Sequence, residues 1–288
     1  MKVKAYAKIN LFLDITGIRQ DGYHTLEMIM QSVSLCDEVE VSVSEDVTVY
    51  TEGVEQEKNI AYKAAKAFFE KTGIKGGLKV NIEKHIPMQA GLGGGSADAA
   101  AVLVCANELY GNPLNKEELL KLGNTLGADV PFALTGGTAL AKGTGDELYS
   151  VNNNLRAVYL IVKPEGGVDT AKAFRLYDDM DITSSGDMEG AVKALDESDF
   201  EEFKKCAYNA LEAPAKVICP VIDKVLEKLC SAKGVRAAFM TGSGSACVGV
   251  FENEQDAKAA KRLFCDENIT CFIVKNTSCG TLLKKSGC

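Results

Sequence analysis

Apolar residues at alternate positions, Ile9, Leu11, Leu13 and Ile15, predict a first strand over residues 2–16. Lys8 and Asn10 fall on its other face, which is either solvated surface, the usual place of a lysine, or the wall of a cleft. Residues 28–43 and 47–51 read as further strands. The period then becomes helical. Ile60, Ala64, Ala67 and Phe68 share one face of a helix over 60–71, with Asn59 at its N-cap, and residues 78–83 return to strand.

At residues 87–101 the pattern breaks into P-M-Q-A-G-L-G-G-G-S-A-D-A-A-A. Four glycines, Gly91, Gly93, Gly94 and Gly95, lead to Ser96, which is expected to open an alanine-rich helix over 97–110. Asn115 caps another helix at 116–126, with Glu117 and Glu118 in its first turn. Asp129, flanked by Ala128 and Val130 and two residues before Pro131, is expected in an apolar, irregular stretch. Gly136-Gly137 and Gly143-Thr144-Gly145 punctuate two short strands, and 155–162 forms another.

Helices are expected in the second half at 170–177, 187–196, 199–211, 214–231 and 254–266. Strands are expected at 237–241, 247–251 and 270–276, with a glycine-rich turn at 242–245. The sum is an α+β chain. The polar run 152–154 places a boundary near 152–156, dividing it into domains 1–155 and 156–288.

Composition narrows the function. A formal charge of −8 without a basic block argues against nucleic acid or an anionic membrane as a partner. The longest apolar runs, such as 157–162, are far too short to span a bilayer, and no charged segment followed by an apolar one opens the chain; the expected location is cytoplasmic. Ten dispersed cysteines without a C-x-x-C pair read as reduced thiols, several of them buried, and two histidines argue against a histidine-built metal site.

The glycine loop suits a phosphate, because backbone free of Cβ approaches closely and a helix N-terminus offers unpaired N–H groups. No lysine precedes Ser96, so G-x-x-x-x-G-K-[S/T] fails, and the register does not give G-x-G-x-x-G. A plain turn with a cap at Ser96 is the alternative. Asp129 is either a catalytic acid or an Asx-turn aspartate. Tyr23 and His24 fit base stacking and edge recognition, or ordinary loop packing. Taken together, Lys8, the loop and Asp129 form a phosphoryl-transfer set. Phosphates would lie on 91–96 with Mg²⁺ bridging their oxygens, Asp129 would take the acceptor proton, and Lys8 would stabilise the transferring charge.

Residues 87–100 resemble the central phosphate-loop motif of the GHMP kinases, the superfamily of galactokinase, homoserine kinase, mevalonate kinase and phosphomevalonate kinase. Ala7-Lys8-Ile9-Asn10-Leu11, Asp21-Gly22-Tyr23-His24-Thr25-Leu26 and Leu126-Gly127-Ala128-Asp129-Val130-Pro131-Phe132 are similar to signatures of one branch of it. That branch acts on a cytidine diphosphate-linked methylerythritol in the non-mevalonate isoprenoid pathway. The resemblance runs from residue 2 to about 275. It implies a two-domain α+β fold with the active site in the interdomain cleft, and ATP-dependent phosphorylation of the erythritol 2-hydroxyl. By motif, it makes Lys8 and Asp129 the catalytic pair, with Asn10 orienting the substrate. Pro87, Met88, Gln89, Ala90, Gly91, Leu92, Gly93, Gly94, Gly95, Ser96 and Ala97 would wrap the ATP phosphates, and Asn59 would lie near the adenosine.

By the same resemblance Tyr23 stacks on cytosine and His24 hydrogen-bonds its edge. Thr170 and Phe174 complete the cytidine side, and 242–245 matches the family's third motif. Ser96 is a candidate Mg²⁺ ligand, and water-mediated binding is equally compatible. His85 and Asp98 are read as structural. Another small-alcohol kinase of the superfamily, or a non-catalytic nucleotide-binding regulator, are the alternatives; oligomeric state is left open.

Overall fold

The computed structural model describes residues 1–145, 147–180, 182, 186–265, 268–278 and 281–283, with backbone alone at 282 and 283. Lys2–Ile18 (β1) and His24–Ser44 (β2) form one long antiparallel hairpin. Thr48–Thr51 (β3), Ile60–Thr72 (α1), Gly77–Glu83 (β4), Gly94–Leu109 (α2), Lys116–Leu126 (α3), Asp129–Thr135 (α4), Thr138–Lys142 (β5) and Glu147–Ser150 (β6) follow. The length of β2 organises this half: Met28–Gln31 pair with β5, and Glu38–Ser44 pair with β4. Its apolar face takes α1 and α2 into a core of Val39, Val41, Phe68, Leu78, Val80 and the alanines of α2. Small side chains let α2 lie close to its neighbours.

Residues 151–157 carry the chain without regular structure to Val158–Pro164 (β7). Then come Thr170–Asp179 (α5), Met188–Glu197 (α6), Phe200–Cys206 (α7), Glu212–Ile218 (α8), Val221–Ser231 (α9), Val235–Met240 (β8), Cys247–Phe251 (β9), Glu254–Lys261 (α10), Ile269–Lys275 (β10) and Thr281–Leu283 (β11). A second, antiparallel sheet runs β10-β7-β9-β8. A core built from both sheets joins the halves: Ile9, Phe12 and Ile29 are buried with Tyr159, Phe203 and Phe239. Each such side chain contributes roughly 1.5–3 kcal/mol on burial.

Several boundaries differ from the sequence expectation. The alanine-rich helix starts at Gly94 rather than after Ser96, and its N-cap Gly93 makes no side-chain cap, so Ser96 is not the cap. Asp129 is not in an irregular stretch but begins α4, whose Pro131 sits in the first turn, where a missing N–H costs nothing. The helix expected over 199–211 stops at Cys206, and the one over 214–231 is two helices, broken at Cys219 and Pro220. The helix over 254–266 ends at Lys261 with a 3-10 turn through Phe264, and residue 266 lies outside the described residues. β11, unforeseen, returns to pair with β1, Val3 opposite Leu283. Eight described cysteines are free thiols, four of them buried; Cys279 and Cys288 lie outside the described residues.

Candidate active site

β1 is buried on both faces, which resolves the place of its polar residues. Ile9 and Leu11 enter the core, while Lys8, 8% exposed, and Asn10, 2% exposed, turn into a cleft of about 730 Å³. Lys8 Nζ donates to Asn10 Oδ1 at 2.7 Å and stands 3.4 Å from Asp129 Oδ2. Asn10 is held in turn, its N–H donating to Thr241 Oγ1 at 2.8 Å. Asp129 is the first residue of α4, between the exposed Ala128 and the buried Val130, and lines the cleft with its side chain 30% exposed.

The glycine loop lies directly over Lys8. Lys8 N–H donates to Leu92 O at 3.0 Å, and a Cβ on Gly93, where φ is +68°, would stand 2.9 Å from Lys8 Cγ. Gly91, at φ +76°, is pressed against the second glycine turn: a Cβ there would stand 2.3 Å from Thr241 O. Both positions combine a left-handed backbone with a contact that no side chain fits. The N–H groups of Gly94, Gly95 and Ser96, as the first turn of the 16-residue α2, have no partner one turn back and face the positive end of the helix. Donors of this kind fit anionic oxygens, so the residues present suit a nucleotide phosphate. Ser96 lines the same cleft, and its Oγ lies 4.0 Å from where a Cβ on Gly127 would be. Among the described residues no group of three or more His, Cys, Asp or Glu side chains converges on a metal position.

Pro87, Met88, Gln89, Ala90, Gly91, Leu92, Gly93, Gly94, Gly95 and Ser96 all line the cleft, joined from the other half by Thr170, Phe174 and 242–244. Thr170 Oγ1 and Ser243 Oγ are 2.8 Å apart. Four expected residues, Asn59, Ala97, Tyr23 and His24, stand off from it. Ala97 is buried in the core. Asn59 is committed to its cap, accepting from Ala61 N–H and donating to Thr51 Oγ1, both at 2.9 Å. Tyr23, in the turn at the hairpin tip, is 68% exposed. Its neighbour His24 stacks on Phe174, ring centroids 4.7 Å apart, and places Nε2 2.7 Å from Asp178 Oδ1.

Asp37, Lys84 and Asp98 form a charged cluster beneath the loop that the sequence did not suggest as a unit. Lys84 Nζ donates to Asp37 Oδ2 at 2.5 Å and to Asp98 Oδ2 at 2.7 Å, and Asp37 Oδ1 also accepts the N–H groups of His85 and Ile86. Burial works against the Lys84 charge, but Asp98 and Asp37 outweigh it and hold its pKa up. Burial pushes the Asp98 carboxyl up to about 7; Lys84 opposes that rise and Asp37 adds to it. A lysine three residues before Pro87 was the only sequence signal, since its two partners lie 47 and 14 positions away.

The fold and the sequence both have known counterparts. Residues 59–137 match the GHMP kinases N terminal domain and residues 191–269 the GHMP kinases C terminal domain. A 4-diphosphocytidyl-2-C-methyl-D-erythritol kinase of Desulfitobacterium hafniense (strain Y51) is 40% identical over 279 residues, which cover 96% of each chain. One of the same name from Caldicellulosiruptor bescii is 41% identical over 269 residues, 91% of this chain and 94% of its own. The crystal structure of a 4-(cytidine 5'-diphospho)-2C-methyl-D-erythritol kinase superposes with a TM-score of 0.81 at 33% identity, covering 96% of this chain and all of that one.

Proposed function

This chain belongs to the 4-diphosphocytidyl-2-C-methyl-D-erythritol kinases of the GHMP superfamily, and from that membership we propose that it transfers the γ-phosphoryl group of ATP to the 2-hydroxyl of 4-diphosphocytidyl-2-C-methyl-D-erythritol. The carrying observation is the Lys8–Asp129 pair at 3.4 Å, lying under a glycine loop shaped for phosphates in one cleft. The loop N–H groups hold the donor phosphates. Asp129 takes the proton of the acceptor hydroxyl as the new bond forms, and Lys8 offsets charge on the transferring group. Asn10 keeps the Lys8 ammonium aimed at that point. Mg²⁺, when bound with the nucleotide, would supply charge neutralisation at the phosphates, and Ser96 is the loop side chain that would hold it, directly or through water.

The proposal assigns residues 1–155 to an ATP-binding domain and 156–288 to a second one closing the cleft. Asn59 and Ala97 support the donor side through the helices they anchor. Tyr23, His24, Thr170 and Phe174 form the cytidine end. Among the described residues no helix is long and apolar enough to cross a membrane, and a cytoplasmic location suits a small-molecule kinase.

A coupled ADP-release assay over a panel of 4-diphosphocytidyl-2-C-methyl-D-erythritol, mevalonate, homoserine and galactose tests the substrate. Turnover of the cytidine-linked alcohol alone is expected; turnover only of another alcohol sinks the proposal. For the base, Tyr23→Ala is expected to weaken binding of the cytidine substrate by roughly 1–3 kcal/mol, the scale of base–aromatic stacking, with ATP affinity unchanged. Calorimetric titration with each ligand checks this, and equal weakening of both would make Tyr23 a structural loop residue.

A further inference from the structure

We infer that Asp178 is a positioning residue for base selection: by accepting the His24 Nε2 proton it leaves Nδ1 as the acceptor that distinguishes cytosine from uracil. This rests on the cytidine end proposed above. His24 begins β2, opposite Ile18 at the end of β1, so the first half of the chain presents it. The second half supplies what holds it, from α5. Phe174 stacks on the imidazole with an interplanar angle of 27°, Tyr177 meets it edge-on at 6.4 Å, and Asp178 Oδ1 lies 2.7 Å from Nε2. Positions 174, 177 and 178 are i, i+3 and i+4 and thus share one helical face. With a side chain only 11% exposed, the ring is held on a face, at an edge and by one nitrogen.

An ionised carboxylate accepts and does not donate, so Nε2 carries the proton in this pair. In the neutral imidazole Nδ1 is then the lone-pair nitrogen. Cytosine offers an exocyclic amine where uracil offers a carbonyl oxygen. The fixed tautomer attracts the first and opposes the second. Without Asp178 the ring is free to exchange tautomers and meet either base, and selectivity falls. Its carboxylate does not make this contact for the core's sake: its side chain is 38% exposed, near the end of α5, so alanine there removes no core packing.

The test compares wild type, Asp178→Ala and Asp178→Asn with the cytidine-linked substrate and its uridine-linked counterpart, alongside histidine nitrogen NMR of each protein. Wild type is expected to show His24 as the Nε2–H tautomer. Asp178→Ala should show mixed tautomers and lose about tenfold or more of its cytidine preference, the size of a charge-assisted hydrogen bond, through KM rather than kcat. Asp178→Asn, whose carbonyl oxygen still accepts, should retain both tautomer and preference. If wild type turns over the cytidine substrate and Asp178→Ala keeps both its tautomer and its preference, the inference is overturned. Absence of any cytidine turnover in wild type would instead overturn the functional proposal on which it rests.

Discussion

Replacing Asp129 with asparagine is expected to lower kcat by about 10²–10⁴ while leaving ATP binding intact, the loss that follows removal of a general base. Asparagine keeps the shape of the side chain and its place at the first position of α4, where Val130 and Phe132 anchor the helix in the core. The phosphate loop sits on a different element, at the N-terminus of α2. What is lost is the capacity to accept the hydroxyl proton 3.4 Å from the Lys8 ammonium. Steady-state kinetics together with titration of a non-hydrolysable ATP analogue separate the two effects. Turnover equal to wild type would remove Asp129 from the mechanism.

Lys8→Met is expected to cost about 10²–10³ in kcat, the range for removing one preorganised charge stabiliser. The choice of methionine follows from packing. Gly93 lies on the Lys8 stem with no room for a Cβ, so truncation to alanine would open a void under the loop, whereas methionine keeps the stem and removes only the charge. The buried Asn10 Oδ1 loses its donor as well, so some substrate affinity should go with the rate. In the proposed mechanism Lys8 and Asp129 act on one step, so the double variant should fall well short of the product of the two single losses. Single-turnover measurements at saturating ATP read the chemical step. A Lys8→Met rate within twofold of wild type would contradict the assignment.

Residues whose chemistry depends on their type and near neighbours were legible in the sequence. The four glycines between a strand pattern and an alanine run mark a strand–loop–helix passage, though by themselves they fit a plain turn as well as a phosphate loop, and Lys8 and Asn10 share a strand face by simple alternation. Whether that face met water or a cleft could not be read, because it depends on α4 and on Thr241, 231 residues from Asn10. Asp129 was identifiable as an unusual acid, but its seven-residue helix was hidden by Pro131, which reads as a breaker and is tolerated in a first turn. Pro220 marks the break between α8 and α9, but the apolar period on either side of it reads as one continuous helix. The His24–Asp178 contact, 154 positions apart, and the Asp37–Lys84–Asp98 cluster exist only once strands and helices are assembled. Three-residue β11 carries too short a pattern to register; pairing with β1 alone makes it a strand.

Transfer to a tertiary alcohol leaves its own mark on the product. The carbon bearing the 2-hydroxyl of the methylerythritol carries a methyl group and no hydrogen, whereas the other free hydroxyls stand on carbons that do. Proton-coupled phosphorus NMR of the product from ATP and 4-diphosphocytidyl-2-C-methyl-D-erythritol should therefore show a new phosphate monoester with no splitting from a proton on its ester carbon. A monoester split by such coupling, or release of inorganic phosphate with no new ester, would contradict phosphorylation at the 2-hydroxyl.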